Sequence, residues 1–310
     1  PYEGIKGVNV EGTRRLLILA RSGRKKSFHY ASTSTFSPDK EDKAVFMESD
    51  VISPRDINKY NGYDISKYAS EALCELSRKD GFDCNIYRLV WVGGQLATGL
   101  SKLNDGLNIM LRILLTLGVY PKGNYLHDIM PVDLMADAMA SVQGKANSTS
   151  FNITSQSNES INMLKIVAML EAMGYTLREV SVDKFVEALR TYPSEAWDEH
   201  CRSYLGLIIR MFDDGVKAES YYDSSNFKSH MDDTVKSQLE ERFINEYFQR
   251  IVLFLVRQGA LPTPGGGTYE ENVARIEGWQ PAAQDEGKGL CLHQLFEAQA
   301  AKTPDADALV

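Results

Sequence analysis

Residues 25–35 read KKSFHYASTST, and residues 84–92 read CNIYRLVWV. The first stretch predicts a buried strand that ends in the small hydroxyl residues 32–35. The second is an almost continuous apolar run, and a strand that is buried on both faces is typical of a parallel sheet. A helix is predicted between them at residues 63–79, ended by Gly81. Alternating helices and strands indicate an α/β layered fold with right-handed crossovers.

The flanking sequence predicts further elements. Residues 8–21 have the spacing of an amphipathic helix, with Leu16, Leu17 and Leu19 on its inner side. Residues 37–62 are polar and contain two prolines, which predicts a loop that borders a site. Farther on the pattern becomes mainly helical, and helices are predicted at residues 106–117, 133–142, 161–173 and 236–258.

The composition excludes several classes of protein. The chain has 310 residues, a net charge of −8 and no basic block, so a nucleic-acid partner has no electrostatic support. No apolar run approaches the roughly 18–20 residues that cross a bilayer, so no membrane partner is expected. The four cysteines are scattered without metal-ligand spacing. This scatter predicts reduced thiols, a cytoplasmic location and no metal site.

Tyr63 and Lys67 are the first candidates for acid–base chemistry. They are four residues apart on the predicted helix and therefore share a face. In a reductase, such a phenol donates a proton to an oxygen that gains charge as hydride arrives, and the ammonium lowers its pKa from about 10. Thr33, or in second place Ser32, would orient the substrate carbonyl from the strand end. The alternative is that these small residues only turn the chain.

The Tyr-x-x-x-Lys spacing alone is weak evidence. With 15 tyrosines, about one match is expected by chance. Tyr2 and Lys6 have the same spacing with no strand before them, and we interpret that pair as a chance match. The pair at Tyr63 is different, because a hydroxyl-rich strand end precedes it and a buried strand follows.

Two nearby polar features are predicted to be structural. His127 and Asp128 are adjacent and would not share a helix face, so a solvated loop is favoured over an acid–base pair. Asp133 is interpreted as the N-cap of the helix that follows it.

Several segments resemble the extended short-chain dehydrogenases/reductases and, more narrowly, the thioester reductase domains of nonribosomal peptide synthetases and carboxylic acid reductases. The segments are Asn9-Val10-x-Gly12-Thr13-x-x-Leu16-Leu17, HYASTSTF (29–36), Tyr63-x-x-x-Lys67-x-x-x-Glu71, Ile86-Tyr87-Arg88, HDIMPVD (127–133), YDSSN (222–226) and LPTP (261–264). They occur in the family's order between about residues 4 and 265. One departure is Leu89-Val90-Trp91, which replaces the usual Pro-Gly.

The resemblance implies a fold and a function. The fold would be an incomplete Rossmann-type parallel sheet, its C-terminal half, with a smaller, mostly helical substrate domain. The function would be NADPH-dependent reduction of an acyl or peptidyl thioester, carried on the phosphopantetheine of an upstream carrier protein, to an aldehyde or alcohol. The implied catalytic residues are Thr33, Tyr63 and Lys67, and the implied cofactor contacts are Tyr63, Lys67, Arg88, Val90 and Val92.

The resemblance also divides the chain. Residues 1–125 would be the C-terminal part of the reductase core, and residues 126–265 the remaining core strand with a subdomain that faces substrate and carrier. Residues 266–290 read as a linker. Residues 291–310 resemble the beginning of an adenylation domain, through LHQLFEAQAAKTPD at 292–305. A downstream adenylation domain in the same polypeptide is therefore an expected partner.

The glycine turn that holds dinucleotide phosphates in this family is not found. Three βα units of roughly 30 residues each carry it in the family, and only about 25 residues precede the first strand here. Gly93 and Gly94 follow the wrong strand, and residues 265–267 lie between prolines and polar residues. We expect a longer polypeptide and, for this chain alone, little activity. Two alternatives stay open, a non-catalytic docking or spacer module and an extended-family epimerase or ketone reductase.

Overall fold

The computed structural model describes residues 2–24, 26–34, 45–50, 61–123, 126–154, 161–213, 221–240 and 244–266. The strands are β1 (Phe28–Thr33), β2 (Val45–Phe46), β3 (Cys84–Leu89), β4 (Trp91–Gly93), β5 (Val119–Pro121), β6 (Leu126–His127), β7 (Ile129–Pro131), β8 (Ser150–Ile153), β9 (Ile161–Asn162), β10 (Arg178–Val180) and β11 (Tyr221–Tyr222). The helices are α1 (Tyr2–Lys6), α2 (Gly12–Arg21), α3 (Gly62–Lys79), α4 (Gly106–Leu117), α5 (Val132–Ser141), α6 (Met163–Ala172), α7 (Val182–Thr191), α8 (Glu199–Asp213), α9 (Ser225–His230), α10 (Asp233–Glu240) and α11 (Ile244–Arg257).

Three parallel strands form the central sheet, in the order β1-β3-β8. Phe28 lies opposite Cys84, and Leu89 lies between Thr33 and Ile153. The carboxyl ends of all three strands therefore meet at one edge, which is where ligands bind in open parallel sheets. Parallel strands separated by helices confirm the predicted α/β class.

Helix α3 covers one face of this sheet. Asn61 caps its start, since the Asn61 side chain accepts a hydrogen bond from the Asp64 amide at 3.0 Å. Its fully buried Cys74 packs in one apolar cluster with Tyr30 of β1 and Ile86 of β3. This contact fixes the helix, and with it the Tyr-x-x-x-Lys motif in its first turns, against the end of β1.

The other face of the sheet packs against α5 and α9. Tyr87 and Phe151 are fully buried and stack with their ring centres 5.6 Å apart. They join Leu134 of α5 and Phe227 of α9 in one apolar cluster. The sheet is therefore enclosed between helical layers, as its apolar strands require.

A larger apolar cluster lies among the helices of the second part of the chain. It is built from α4, α6, α7, α8 and α11, and it contains the fully buried Ile113, Leu170, Phe185 and Ile251. This is the mostly helical part that the sequence predicts. Helix α4 packs here, although the sequence analysis placed it with the reductase core.

Residues 84–92 do not form one strand as predicted. Strand β3 ends at Leu89 and β4 begins at Trp91. The Val90 amide donates to the Ile153 carbonyl at 3.3 Å, whereas the Trp91 amide donates to the Asp128 carbonyl at 3.0 Å. The chain thus changes its pairing partner from β8 to β7 within one apolar run, and side-chain pattern alone does not reveal such a change.

Two predictions about the helices are wrong in detail. Leu16 and Leu19 are 40% and 56% exposed, and of the three predicted leucines only Leu17 is buried. Asp133 lies inside the first turn of α5 instead of preceding it, and its carboxylate accepts the Leu96 amide at 3.1 Å. Asp133 therefore anchors a neighbouring loop in place of capping its own helix.

Other boundaries also differ. The predicted loop at 37–62 contains the short strand β2, and the predicted helix at 161–173 begins only at Met163 after a short strand. Helices α10 and α11 cover most of the predicted helix at 236–258, of which residues 241–243 lie outside the described residues. Residues 267–310, with nearly all of the predicted linker and the whole adenylation-like segment, lie outside the described residues. Among the described residues, no helix is both long and apolar enough to cross a bilayer.

Candidate active site

The candidate site lies at the carboxyl edge of the sheet. Thr33 is the last residue of β1, and Tyr63 is in the first turn of α3. The Thr33 side chain is near enough to the Tyr63 phenol to lower the pKa of that phenol in part. Thr33 is buried, whereas Tyr63 is 45% exposed. The structure therefore brings together the two hydroxyls that the sequence predicts, with the phenol open to an incoming molecule.

Tyr63 remains a protonated phenol over a wide pH range. Burial raises its pKa above the usual 10.0, the nearby Asp64 carboxylate raises it further, and the hydrogen bond from Thr33 lowers it in part. The net direction differs from the lowering that the sequence analysis expects from Lys67. A phenol with a raised pKa retains its proton and can donate it to an oxygen that becomes negative.

Lys67 lies one turn farther along α3. Its ammonium donates a hydrogen bond to the Ala31 carbonyl at 2.9 Å. The same nitrogen is 5.3 Å from the ring centre of Tyr30 and 5.9 Å from that of Tyr63. Burial lowers the pKa of Lys67, and Glu71 opposes that effect. The positive charge is thus held beside the Tyr63 ring by the backbone of β1.

Ser32, the second candidate for the orienting hydroxyl, is placed differently. It is buried, and it lies opposite Arg88 in the sheet register. Its hydroxyl has no hydrogen-bond partner among the described residues. Thr33, in contrast, influences the pKa of the Tyr63 phenol, and it therefore stays the preferred candidate. The pair Tyr2 and Lys6 lies on α1, which packs against α3, with the Lys6 ammonium 5.8 Å from the Tyr2 ring centre.

Arg88 is engaged within the protein and is not placed to contact a cofactor. It is 3% exposed and forms an ion pair with Glu71 at 3.1 Å. It also donates to the backbone carbonyls of Glu48 and Asp50, at 3.3 and 2.9 Å, and stacks over Phe46 at 4.9 Å. The sequence-based prediction of a cofactor contact at Arg88 is therefore not supported, because its donors already have partners.

The two predicted valine contacts differ from each other. Val90 is 5% exposed and packs in the cluster beneath α5, so its side chain is closed to a ligand. Val92 is half-buried and stays available at its surface. Of this pair, only Val92 presents a side chain that a nicotinamide ring could touch.

Sequence reasoning missed a buried polar network around this edge. The Glu48 carboxylate, 5% exposed, accepts the amides of Asn152, Asn226 and Phe227 at 3.0, 2.7 and 3.1 Å. Burial nevertheless raises its pKa. Tyr222 donates its hydroxyl hydrogen to the Ser34 carbonyl. Tyr222 and Asn226 lie in the segment 222–226 that the sequence analysis quotes, but no local signal reveals their partners, because each partner is distant in sequence.

The glycines after β4 serve protein packing. A Cβ on Gly93 would lie 2.1 Å from the Tyr247 hydroxyl, and one on Gly99 would lie 2.2 Å from the Arg250 carbonyl oxygen. Tyr247 also donates to the Gly94 carbonyl at 2.9 Å. The absence of side chains at these glycines therefore lets helix α11 pack closely. These glycines do not lie at the N-terminus of a helix, where the glycines of a phosphate-binding turn lie.

The site fits one end of a nicotinamide cofactor. The half-exposed phenol, the threonine hydroxyl and the lysine charge meet at the edge of the sheet where such ligands bind. The described residues contain no glycine turn between a strand and the N-terminus of a helix, which is the arrangement that would hold a pyrophosphate. The residues present therefore suit the reacting ring and its ribose rather than the phosphates.

Comparison with known proteins agrees with this geometry. Residues 1–139 match an NAD-binding family model described as Male sterility protein. The chain is 27% identical over 194 residues to one of the linear gramicidin synthase polypeptides of Brevibacillus parabrevis, a match that covers 61% of this chain and 4% of that protein. It is 25% identical over 288 residues to the large L-2-aminoadipate reductase polypeptide of Eremothecium gossypii, a match that covers 86% of this chain and 20% of that protein.

A solved structure shows the same fold. The terminal R domain from the myxalamid PKS-NRPS biosynthetic pathway superposes with a TM-score of 0.71 at 24% identity, over 85% of this chain and 66% of that one. The NAD-binding family model and the similarity to aminoadipate reductase support the class of NAD(P)H-dependent oxidoreductases. The matches confirm the resemblance found in the sequence: the chain is a relative of peptide synthetase reductase domains and of aminoadipate reductase. It spans between 4% and 22% of the length of such relatives.

Proposed function

We propose that this chain carries the proton-handling site of an NADPH-dependent reductase that acts on an acyl or peptidyl thioester. The substrate would be held on the phosphopantetheine arm of a carrier protein within a nonribosomal peptide synthetase. One observation carries the proposal, namely the Lys67 ammonium, which lies 5.9 Å from the Tyr63 ring centre and is bound to the Ala31 carbonyl of the strand that ends in Thr33. The relation to a linear gramicidin synthase supports the peptide synthetase setting.

Each residue has a distinct part in the proposed reaction. When bound, the cofactor supplies a hydride. Tyr63 hydrogen-bonds the substrate carbonyl oxygen and gives it a proton as negative charge develops there. Thr33 fixes the direction of that oxygen through its contact with the phenol. In the resulting hemithioacetal the carbon–sulfur bond then breaks as the hydroxyl proton passes to the departing sulfur, so the arm leaves as a thiol and the acyl group is released as an aldehyde.

Lys67 compensates the charge that Tyr63 acquires. After the phenol has given up its proton, the phenolate lies beside the ammonium that Ala31 holds in place. An opposite charge within about 6 Å favours the ionised form of such a group. The same ammonium would contact the hydroxyls of the nicotinamide ribose. In this proposal Lys67 therefore acts after proton transfer more than before it.

Replacing Tyr63 by phenylalanine tests the proposal. In the full-length polypeptide with an acyl thioester on its carrier, Tyr63→Phe should lower NADPH oxidation by about 100-fold or more, because it removes the proton donor. Tyr175→Phe is the matched control, since Tyr175 is a buried tyrosine that donates to the distant Pro262 carbonyl at 2.6 Å. Turnover of Tyr63→Phe at the level of this control would reject the assigned role.

A further inference from the structure

We propose that Tyr30 is a positioning residue for Lys67, an inference that rests on the proposed function. The Lys67 nitrogen lies over the Tyr30 ring, 5.3 Å from its centre. A cation within about 6 Å of the face of an aromatic ring is attracted by the negative charge of that face. The ring therefore holds the ammonium where it lies 5.9 Å from the centre of the Tyr63 ring.

The Tyr30 ring is fixed by its own packing. Tyr30 lies in β1 opposite Ile86 of β3, and it is 7% exposed. It packs in one apolar cluster with Cys74 of α3, the helix that also carries Lys67. Because the strand and the helix both hold this ring, the face that it presents to the ammonium stays in one place.

Lys67 is held by β1 at two neighbouring residues. Its ammonium donates a hydrogen bond to the Ala31 carbonyl at 2.9 Å and contacts the ring of the residue before it, Tyr30. A lysine side chain has a flexible four-carbon stem, so one hydrogen bond alone leaves the ammonium free to turn about that contact. Without the ring we expect the charge to spend part of its time away from Tyr63.

Kinetics of a double-mutant cycle test this contact in the full-length polypeptide. Tyr30→Phe keeps the ring over Lys67 and should keep kcat close to that of the unchanged protein. Tyr30→Leu removes the ring and should lower kcat roughly 10-fold, because the charge is then misplaced. In a Lys67→Met background Tyr30→Leu should have no further effect, since the group that the ring positions is already absent. Equal losses in both backgrounds would overturn the proposal.

A titration gives a readout that is independent of turnover and that also serves if Tyr30→Leu does not fold. Phenylalanine and its mono-, di- and trifluorinated forms are introduced at position 30. Each fluorine withdraws electrons from the ring face and weakens its attraction for a cation, while the size of the ring changes little. The ionisation of Lys67 is followed by NMR at its ε-carbon, through the signal that is absent in Lys67→Met. Because the ring favours the charged amine, the midpoint should fall stepwise, by roughly 0.5–1 pH unit over the series.

Phe28 provides the matched control. It lies two residues before Tyr30 on the same face of β1, is 4% exposed and packs in the same apolar cluster. The same fluorinated residues at position 28 should leave the Lys67 titration unchanged. Equal shifts from both positions would show an effect of core packing and would overturn the proposal.

The titration separates the two proposals. The titratable or charged groups that act on Lys67 are Tyr30, Tyr63 and Glu71, and the fluorinated series leaves the last two in place. If Tyr63→Phe kept full turnover, the proposed function would fail, yet a stepwise fall of the Lys67 titration would still support positioning by Tyr30. A titration that does not depend on the number of fluorines would overturn positioning, whatever the kinetics show.

Discussion

At the scale of single residues, Arg88 and Glu71 form the most enclosed charge pair at this edge of the sheet. Their side chains are 3% and 6% exposed, and three nitrogen–oxygen distances between them fall between 3.1 and 3.3 Å. Arg88, which lies in the sheet, also donates a hydrogen bond to the Glu48 carbonyl. The pair therefore joins α3, β3 and the segment beside β2.

Breaking this pair should be costly. Glu71→Gln removes the negative charge and leaves the guanidinium buried without its counter-charge, which we expect to lower the free energy of unfolding by about 3–5 kcal/mol. Asp80→Asn is the control, because the pair of Asp80 with Arg21 is 66% and 38% exposed and should change stability by no more than about 1 kcal/mol. Urea unfolding of both variants measures the difference, and equal losses would contradict it.

Some residues of the candidate site could be predicted from the sequence and others could not, and the difference has a physical reason. Thr33 and Tyr63 could be found because a hydroxyl at a strand end and a phenol on the next helix are local signals. The contacts of Arg88 and Tyr222 could not be predicted, because their partners Glu48 and Ser34 lie 40 and 188 residues away. Which donor meets which acceptor at such separations is decided by tertiary packing.

At the scale of elements, helix α11 braces the loop that follows β4. Tyr247 donates to the Gly94 carbonyl, and Arg250 donates to the Leu96 carbonyl at 3.0 Å. Asp133 of α5 accepts the Leu96 amide from the other side. The loop is thus bound by two helices, which keeps it close to the edge of the sheet.

Two glycines allow a matched test of this contact. Gly99 and Gly81 have φ values of +70° and +78°, but only at Gly99 would a Cβ meet backbone, at 2.2 Å from the Arg250 oxygen. Gly81→Ala should therefore cost about 1–2 kcal/mol from left-handed backbone strain alone. Gly99→Ala should cost clearly more, as measured by thermal or urea unfolding. Equal costs would show that α11 moves away easily.

Element boundaries were harder to predict than element types. Helices α3 and α4 agree closely with prediction, because Asn61 and Asp105 cap their starts and Gly81 and Gly118 follow their ends. The break at Val90 was missed, since residues on both sides of it are apolar and only the pairing partner changes. The periodicity of apolar residues indicates which residues are buried. It does not indicate which strand pairs with them.

At the scale of the whole molecule, the α/β class followed from alternating helices and apolar strands. The sequence also predicts a smaller, mostly helical domain, whose bounds stay a prediction, and the structure has a large apolar cluster among its later helices. The position of α4 in this cluster was not predicted, because an apolar helix is equally suited to either core. Its packing against α8 becomes evident only when the distant helices are assembled.

The affinity for the dinucleotide depends on contacts along the whole chain. In the described residues, only the nicotinamide end of the dinucleotide has a fitting environment, so we expect this 310-residue chain to bind NADPH without saturation below about 1 mM. Reduced nicotinamide mononucleotide, which lacks the adenosine half, should bind equally weakly. Fluorescence titration measures both. Much tighter binding of NADPH than of the mononucleotide would contradict the expectation and would show that other residues hold the pyrophosphate.

The contact between Gly93 and Tyr247 has an evolutionary consequence. Position 93 must lack a side chain because a Cβ there would lie 2.1 Å from the Tyr247 hydroxyl. The requirement comes from this phenol and not from a nucleotide. The two positions should therefore covary among homologous sequences, with a smaller residue at 247 releasing the glycine requirement at 93. A motif search that counts this glycine as a mark of dinucleotide binding would mistake a requirement of helix docking for a ligand signature.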